Sequence, residues 1–305
     1  MKKILVATEK PFSPVAIEKI KNVLKDGDYE LVLLEKYTEK AQLLEAVKDV
    51  DAMIVRSDKI TAEVLDAAKN LKIVVRAGAG TDAIDLVHAK EKGIVVENTP
   101  GQNANAVAEL VFSLAVMVKR NFFDGTPGTE LMEKTIGIHG FGNVGKNIAR
   151  LARGFNMNIL AYDVFADKQA NPDITFVDSV EELYSKSDFI SMHIPALPAT
   201  IKSINYDLVM KMPKKAVLIN GARGEVIDDE SLLKALKERP DLTYVTDIKP
   251  TNHEEYLKLP EHQYFATPKK MGAQTAEANV NAGVAGARQI RNFFENGDEK
   301  FRVNK

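Results

Sequence analysis

One segment restricts the fold more than any other. Residues 135–146 read Thr-Ile-Gly-Ile-His-Gly-Phe-Gly-Asn-Val-Gly-Lys, which sets Gly140, Gly142 and Gly145 in a G-x-G-x-x-G spacing. Alone, that spacing is weak. Here an apolar strand precedes it, an amphipathic helix follows over 144–153, and a second strand over 159–162 ends in Tyr162-Asp163. Such a turn needs Gly140 for the tight bend, Gly142 so that the backbone approaches a pyrophosphate, and Gly145 so that helix and strand pack closely. The start of the helix, at Asn143 and Val144, offers N–H groups to the anion. Asp163 is placed to accept hydrogen bonds from the adenosine ribose hydroxyls. A chance glycine spacing in a turn is the bland alternative, and the complete βαβ context speaks against it.

Residues 164–167 contain no arginine to hold a 2′-phosphate, and Asp163 would repel one. The expected cofactor is therefore NAD rather than NADP.

The rest of the chain repeats the same alternation. Short β-branched runs at 4–7, 31–34, 53–55, 73–75 and 94–96 are separated by amphipathic stretches at 15–24, 40–47 and 61–68. This first series carries no glycine fingerprint. A long helix is expected over 103–120, then a polar, glycine-rich break over 121–129. The second series has strands at 136–139, 159–162, 189–192, 217–219, 244–248 and 264–266, with helices near 144–153, 180–184, 230–236 and 276–294. Continuous apolar strands alternating with helices indicate parallel sheets buried on both faces. The fold class is α/β, with two such domains. A length of 305 residues agrees, at roughly 150 per domain.

Composition excludes several functions. With 41 Lys plus Arg against 43 Asp plus Glu, the net charge of −2 gives no basic excess for nucleic acid. There is no cysteine, hence no disulfide, thiol nucleophile or cysteine-ligated metal. The five histidines, at 88, 139, 193, 253 and 262, show no metal-binding spacing, so no metal is expected. The most apolar stretch, 106–118, contains Glu109 and Ser113 and is too short for a membrane. The N-terminus lacks a signal-peptide core, and a soluble, cytoplasmic protein is expected. Asp228-Asp229-Glu230 reads as acids capping a helix start.

Beyond the glycine motif, several segments resemble the NAD-dependent D-2-hydroxyacid dehydrogenases, and within that family the short-form D-3-phosphoglycerate dehydrogenases. They are Val55-Arg56-Ser57, Arg76-Ala-Gly-Ala-Gly-Thr-Asp82, Asn98-Thr-Pro-Gly-Gln-Asn103, Ala106-Val-Ala-Glu-Leu110, His193-Ile-Pro195, Asn220-Gly-Ala-Arg-Gly224 and Asp247-Ile248. The resemblance covers nearly the whole chain. It implies a Rossmann NAD-binding domain (99–275) inserted into a flavodoxin-like substrate domain (1–98 and 276–305), with catalysis in the cleft between them. It implies that Arg223 anchors the substrate carboxylate with its planar fork and helps polarise the carbonyl. It gives the backbone N–H groups of Ala77 and Gly78 to the same carboxylate. Arg56, Ser57, Arg76 and Asn103 fall at the substrate's distal end, where a phosphate wants charged partners. His193, Pro195, Gly221, Ala222, Asp247 and Gly272 fall around the ribose and nicotinamide. A small phosphorylated 2-hydroxy acid is the expected substrate, and a homodimer the expected assembly. Arg56 and Arg76 as plain surface arginines, and His193 as a structural residue, are the alternative readings.

The pattern breaks at the acid/base. The family's usual histidine after Thr-Pro and its partner glutamate are both missing: Asn252 stands at the glutamate position, and residues 267–273 read Thr-Pro-Lys-Lys-Met-Gly-Ala. Alignment on Thr267-Pro268 puts Lys269 at the histidine position; alignment on Gly272-Ala273 puts Lys270 there. Either activity is lost and the lysines are solvated surface charge, or one lysine, Lys270 ahead of Lys269, exchanges the proton. A lysine could do so if burial and a neighbouring cation lowered its pKa. A carboxylate beside it would trap the proton, so a neutral Asn252 suits it. The implied reaction is oxidation of D-3-phosphoglycerate to 3-phosphohydroxypyruvate, the entry to serine synthesis. A hydroxypyruvate or glyoxylate reductase and a non-catalytic NAD-sensing protein are the alternatives. The segment between the 103–120 helix and the glycine motif is shorter than usual, so the dimer interface is expected to differ. No regulatory domain for serine feedback is expected after Lys305.

Overall fold

The computed structural model describes residues 1–305, and the chain divides into two compact units, Met1–Asn103 with Thr275–Lys305, and Ala104–Gln274. The chain changes unit a few residues from the expected joins after 98 and 275.

The sheet of the first unit contains β1 (Lys2–Thr8), β2 (Tyr29–Glu35), β3 (Ala52–Val55), β4 (Ile73–Arg76) and β5 (Val95–Asn98). All are parallel, in the order β2-β1-β3-β4-β5. That is the flavodoxin-like order, whose strand sequence reverses between β1 and β3. Helix Ala276–Asn296 returns from the far end of the chain to cover one face: Val280, Ala287 and Ile290 join Ile4, Val6, Ile54 and Val75 in one core cluster. The loops at the reversal are pinned by Asp58, 2% exposed, which accepts hydrogen bonds from the Glu9 N–H, the Arg56 N–H and the Tyr37 hydroxyl.

The C-terminal tail adds a strap along β5. Val303 N–H donates to Val96 O, while Asn304 accepts from Val96 N–H and donates to Ile94 O. Beneath the strap lies Glu97, 1% exposed, whose Oε1 accepts from Phe301 N–H. Burial pushes its pKa up to about 7, with Asp298 and Glu299 adding to the rise. The folded state therefore holds this proton more tightly than the unfolded chain. The stabilisation is complete below the ordinary glutamate range and is lost as pH rises through about 7. Thermal stability is expected to fall between pH 5 and 7.5, by about 3 kcal/mol at most. Glu97→Gln should flatten that slope in calorimetric scans; an identical slope in the variant would remove Glu97 as its origin.

The sheet of the second unit contains β6 (Thr135–His139), β7 (Asn158–Tyr162), β8 (Thr175–Phe176), β9 (Phe189–Met192), β10 (Val217–Asn220), β11 (Thr243–Thr246) and β12 (Tyr264–Ala266). Their order is β12-β11-β10-β9-β6-β7-β8, all parallel. This is the Rossmann order with one additional edge strand, and it reverses between β6 and β9. Ligands of such sheets bind beyond the strand ends at that reversal. Helix Ala104–Lys119 packs Ala108, Val111, Phe112 and Ala115 into the core over this sheet. The expected break at 121–129 begins with Asn121, Phe122 and Phe123, all at positive φ, with Phe122 stacked on His262 at 4.8 Å.

Two local expectations need correction. β11 ends at Thr246, not 248, because the Thr246 hydroxyl turns to the Ile248 backbone and bends the chain out of the sheet. Asp228 precedes helix Asp229–Glu238, but its side chain makes no capping bond. The acid that works locally is Asp229, which accepts from Thr251 N–H.

Candidate active site

The glycine turn sits at the reversal point of the second sheet. Gly140 has φ +97°, and a Cβ there would lie 2.9 Å from the His193 carbonyl carbon, so only glycine lets β6 and β9 end side by side. A Cβ on Gly145 would lie 2.4 Å from Gly140 O, which is the close helix–strand contact the motif requires. Gly142 caps helix Asn143–Gly154 and faces open space, leaving room for an anion against the first-turn N–H groups. Asp163 accepts from Phe141 N–H at 2.6 Å and from Phe165 N–H at 2.8 Å. These bonds hold its carboxylate at the end of β7 and leave acceptor positions open.

A cavity of about 430 Å³ extends from this turn, lined by Gly140, Gly142, Asp163, His193 and Pro195 among others. His193 N–H donates to His139 O, and the His193 ring pairs with the Ser191 hydroxyl at 2.7 Å. Burial pushes the pKa of His139 down to about 4 and that of His193 down to about 3. Both rings are neutral near pH 7, and neither serves as a proton donor there. The glycine cradle, the helix N-terminus and Asp163 together fit a dinucleotide.

A second cluster in the same unit gathers around Ala222 and Asp247. Asn220, at the end of β10, is fully buried; its Oδ1 accepts from Ala222 N–H and its Nδ2 donates to Arg223 O. This fixes the turn that carries Arg223. The Ala222 carbonyl then accepts from Arg223 Nη1 at 2.9 Å and from Lys270 Nζ at 3.3 Å. The guanidinium and the amine thus share one acceptor. Partial desolvation lowers the Lys270 pKa, and the Arg223 charge lowers it further. Asp247 and Glu225 act in the opposite direction, so the expectation of an amine free of carboxylate influence is corrected, although the net shift remains downward. Lys269, one residue away, uses only its backbone carbonyl here, which accepts from the Thr267 hydroxyl. Asn252 caps helix His253–Tyr256 by position, and its Oδ1 is buried without a partner.

Asp247, 1% exposed, latches the loop that bears Lys270. Its Oδ1 accepts from the Thr267 hydroxyl and Met271 N–H, and its Oδ2 from Gly272 N–H, at 2.7–2.8 Å. A Cβ on Gly272 would come within 2.9 Å of that carboxylate, and Gly221 neighbours Val107 and Val111. Both Asp247 and Gly272 are thus engaged with each other, an arrangement that the resemblance to a cofactor contact did not indicate. Asn220, Thr246 and Thr267, which set this geometry, were not singled out from the sequence; the Asn-Gly-Ala-Arg-Gly match was the available signal.

In the first unit the expected contacts need revision. Ala77 N–H donates to Val55 O, and Gly78 N–H to Thr99 Oγ1 at 2.6 Å and Arg76 O at 2.9 Å. Neither is available for a carboxylate. Two residues on, Ala79 and Gly80 have N–H groups with no partner in the fold, and Asn98 Nδ2 fixes their loop through Ala79 O. Gly78 itself has φ +145°, and a side chain there would collide with the Arg76 guanidinium. Arg76 Nε donates to Arg56 O. Arg56 lies over the Phe12 ring and donates to Lys10 O, Pro11 O and Asn279 Oδ1. Ser57 is exposed and Asn103 is half-buried at the turn before helix Ala104–Lys119.

Comparison with known proteins identifies the family of the chain. Residues 106–269 match the family described as D-isomer specific 2-hydroxyacid dehydrogenase, NAD binding domain. The hydroxypyruvate reductase of Thermotoga maritima is 37% identical over 272 residues, covering 84% of this chain and 88% of that protein. The D-3-phosphoglycerate dehydrogenase of Methanocaldococcus jannaschii is 36% identical over 271 residues, covering 83% of this chain and 51% of that one. The chain thus spans about half the length of that relative. Among solved structures, an NAD+-bound 3-phosphoglycerate dehydrogenase of Entamoeba histolytica is 44% identical, with a TM-score of 0.85 and coverage of 100% of this chain and 99% of that one.

Proposed function

The chain belongs to the D-isomer specific 2-hydroxyacid dehydrogenase family, with NAD as its cofactor, and on that premise we propose that it oxidises D-3-phosphoglycerate to 3-phosphohydroxypyruvate. The observation that carries the reading is the pairing of Arg223 and Lys270 on one carbonyl, with the amine pKa lowered.

NAD, held by the glycine turn and Asp163, would supply the hydride acceptor for C2 of the alcohol. The chain's own residues supply the rest. Arg223 holds the substrate carboxylate, its planar fork matching two oxygens, and its charge draws electron density toward the carbonyl that forms. Lys270, as the neutral amine, takes the hydroxyl proton, and as the ammonium it returns that proton in the reverse direction. The proposed cofactor contacts are the turn at Gly140, Gly142, Asn143, Val144 and Gly145, with Asp163 for the ribose. His193, Pro195, Gly221 and Ala222 are proposed to shape the remainder. In the first unit, the N–H groups of Ala79 and Gly80 are proposed for the carboxylate, and Arg76 and Asn103 for the phosphate. Arg56 would contribute mainly charge there, since three of its N–H groups are already spent. A homodimer and a cytoplasmic location are proposed with this reading, by family resemblance.

A second reading, a hydroxypyruvate reductase, is favoured by the relative from Thermotoga maritima, which this chain matches over 88% of its length. Following NADH formation with D-3-phosphoglycerate, D-glycerate and D-lactate separates the two. Turnover that depends on the phosphate is expected. Turnover of the unphosphorylated acids alone would transfer the assignment to the reductase, and NAD binding without turnover of any acid would end the enzymatic reading.

A further inference from the structure

A groove of about 640 Å³ lies wholly within the first unit, and none of the residues proposed for catalysis, substrate or cofactor lines it. One wall is helix Pro14–Leu24, which presents Lys19 and Asn22; the other is helix Ala276–Asn296, which presents Asn281, Arg288 and Asn292. Each set shares a helix face, because residues three, four and seven apart project to the same side. No Asp or Glu lines the groove. Lys19 and Arg288 make no ion pair or hydrogen bond within the chain, whereas Lys3, Lys40, Lys92, Arg153 and Arg239 each face a carboxylate. Two unpaired cations among five amide side chains, with no acid, form a surface complementary to an oxyanion.

A second observation comes from Gln289, at the back of the groove and only 8% exposed. Its Nε2 donates to Asn98 O at 3.0 Å, which fixes the amide orientation, and its Oε1 is buried with no partner. A buried acceptor is ordinarily satisfied, and the groove that Gln289 lines offers a side from which a donor can reach it. Solvated surface cations would explain Lys19 and Arg288 but not an orphaned oxygen beside them.

We propose that this groove binds a small phosphate monoester that also carries a free hydroxyl, the phosphate held by Lys19 and Arg288 and the hydroxyl donating to Gln289. The site is separate from the proposed reaction and does not depend on it.

Isothermal titration of the whole protein with sn-glycerol 3-phosphate tests the assignment, with methyl phosphate as the probe that lacks the hydroxyl. Wild type is expected to bind glycerol 3-phosphate several-fold more tightly than methyl phosphate. The double variant Lys19→Glu/Arg288→Glu should lose one binding event per chain, or weaken it by about tenfold or more. Its NAD-linked turnover and thermal midpoint should match wild type. If that variant is unstable, Lys19→Met/Arg288→Met removes the same charges without reversing them. Absence of binding to wild type at millimolar probe, or isotherms unchanged by the variants, overturns the proposal. Binding that survives in the variants but vanishes in Arg76→Ala would belong to the proposed substrate site, and would overturn it equally.

Discussion

Lys270→Ala is expected to lower kcat for alcohol oxidation by about 10²–10⁴-fold, the usual worth of a positioned proton acceptor, with NAD affinity unchanged. Lys269→Ala should stay within a few-fold of the parent, because only the neighbouring amine reaches the Ala222 carbonyl beside Arg223. The pH profile supplies an independent check. Desolvation and the Arg223 charge disfavour the ammonium, so the amine fraction grows below the ordinary lysine range of ~10.4. Oxidation should therefore rise with pH and level off earlier than an exposed lysine would allow, while reduction runs the other way. Equal turnover in Lys270→Ala and parent would refute the assignment. A profile flat from pH 6 to 10, with chemistry rate-limiting, would exclude an ionising base in that window.

The second large effect is expected at Asp247. Replacing it with alanine strands the Met271 and Gly272 N–H groups, while the Thr267 hydroxyl keeps Lys269 O as its acceptor, with an expected loss of about 3 kcal/mol. Urea unfolding reads this directly, and proteolysis should open first within 267–272. Asp247→Asn gives a subtler result: Nδ2 would face Gly272 N–H, donor against donor, so the loop loosens and kcat falls. Because the Asp247 charge favours the ammonium, its removal should also move the alkaline limb of oxidation to lower pH. A variant that unfolds at the parent's urea midpoint with an unmoved limb would show that the latch does neither job.

How much of this was legible beforehand depends on whether a residue's reason is local. Apolar runs such as Ile73-Val74-Val75 in β4 and Val217-Leu218-Ile219 in β10 announce buried strands through composition alone, and all six side chains are nearly inaccessible. The glycine turn is legible for the same kind of reason, since Gly140 and Gly145 answer to contacts made within one βαβ unit and its neighbouring strand. Short elements escaped: β8 has two residues, and helices Leu86–Glu91, Tyr206–Met210 and His253–Tyr256 are too brief for a periodic pattern to show. The Asp247 latch and the shared Ala222 carbonyl escaped for another reason. Their partners lie 20 to 48 positions apart in the chain, and no spacing rule connects them. The offset from Ala77-Gly78 to Ala79-Gly80 is of this type too, because only the pairing with Val55 and Thr99 reveals which amides are already taken.

The interruption of the first unit by the second bears on biogenesis. Val280, Ala287 and Ile290 seal a face of the first sheet, yet they are translated after the whole inserted segment Ala104–Gln274. On the ribosome, then, the nucleotide-type sheet has all its strands before the earlier-made sheet receives its last helix. Nascent chains halted before residue 276 should expose Ile54 and Val75 and recruit holdase chaperones, and release past residue 296 should end that need.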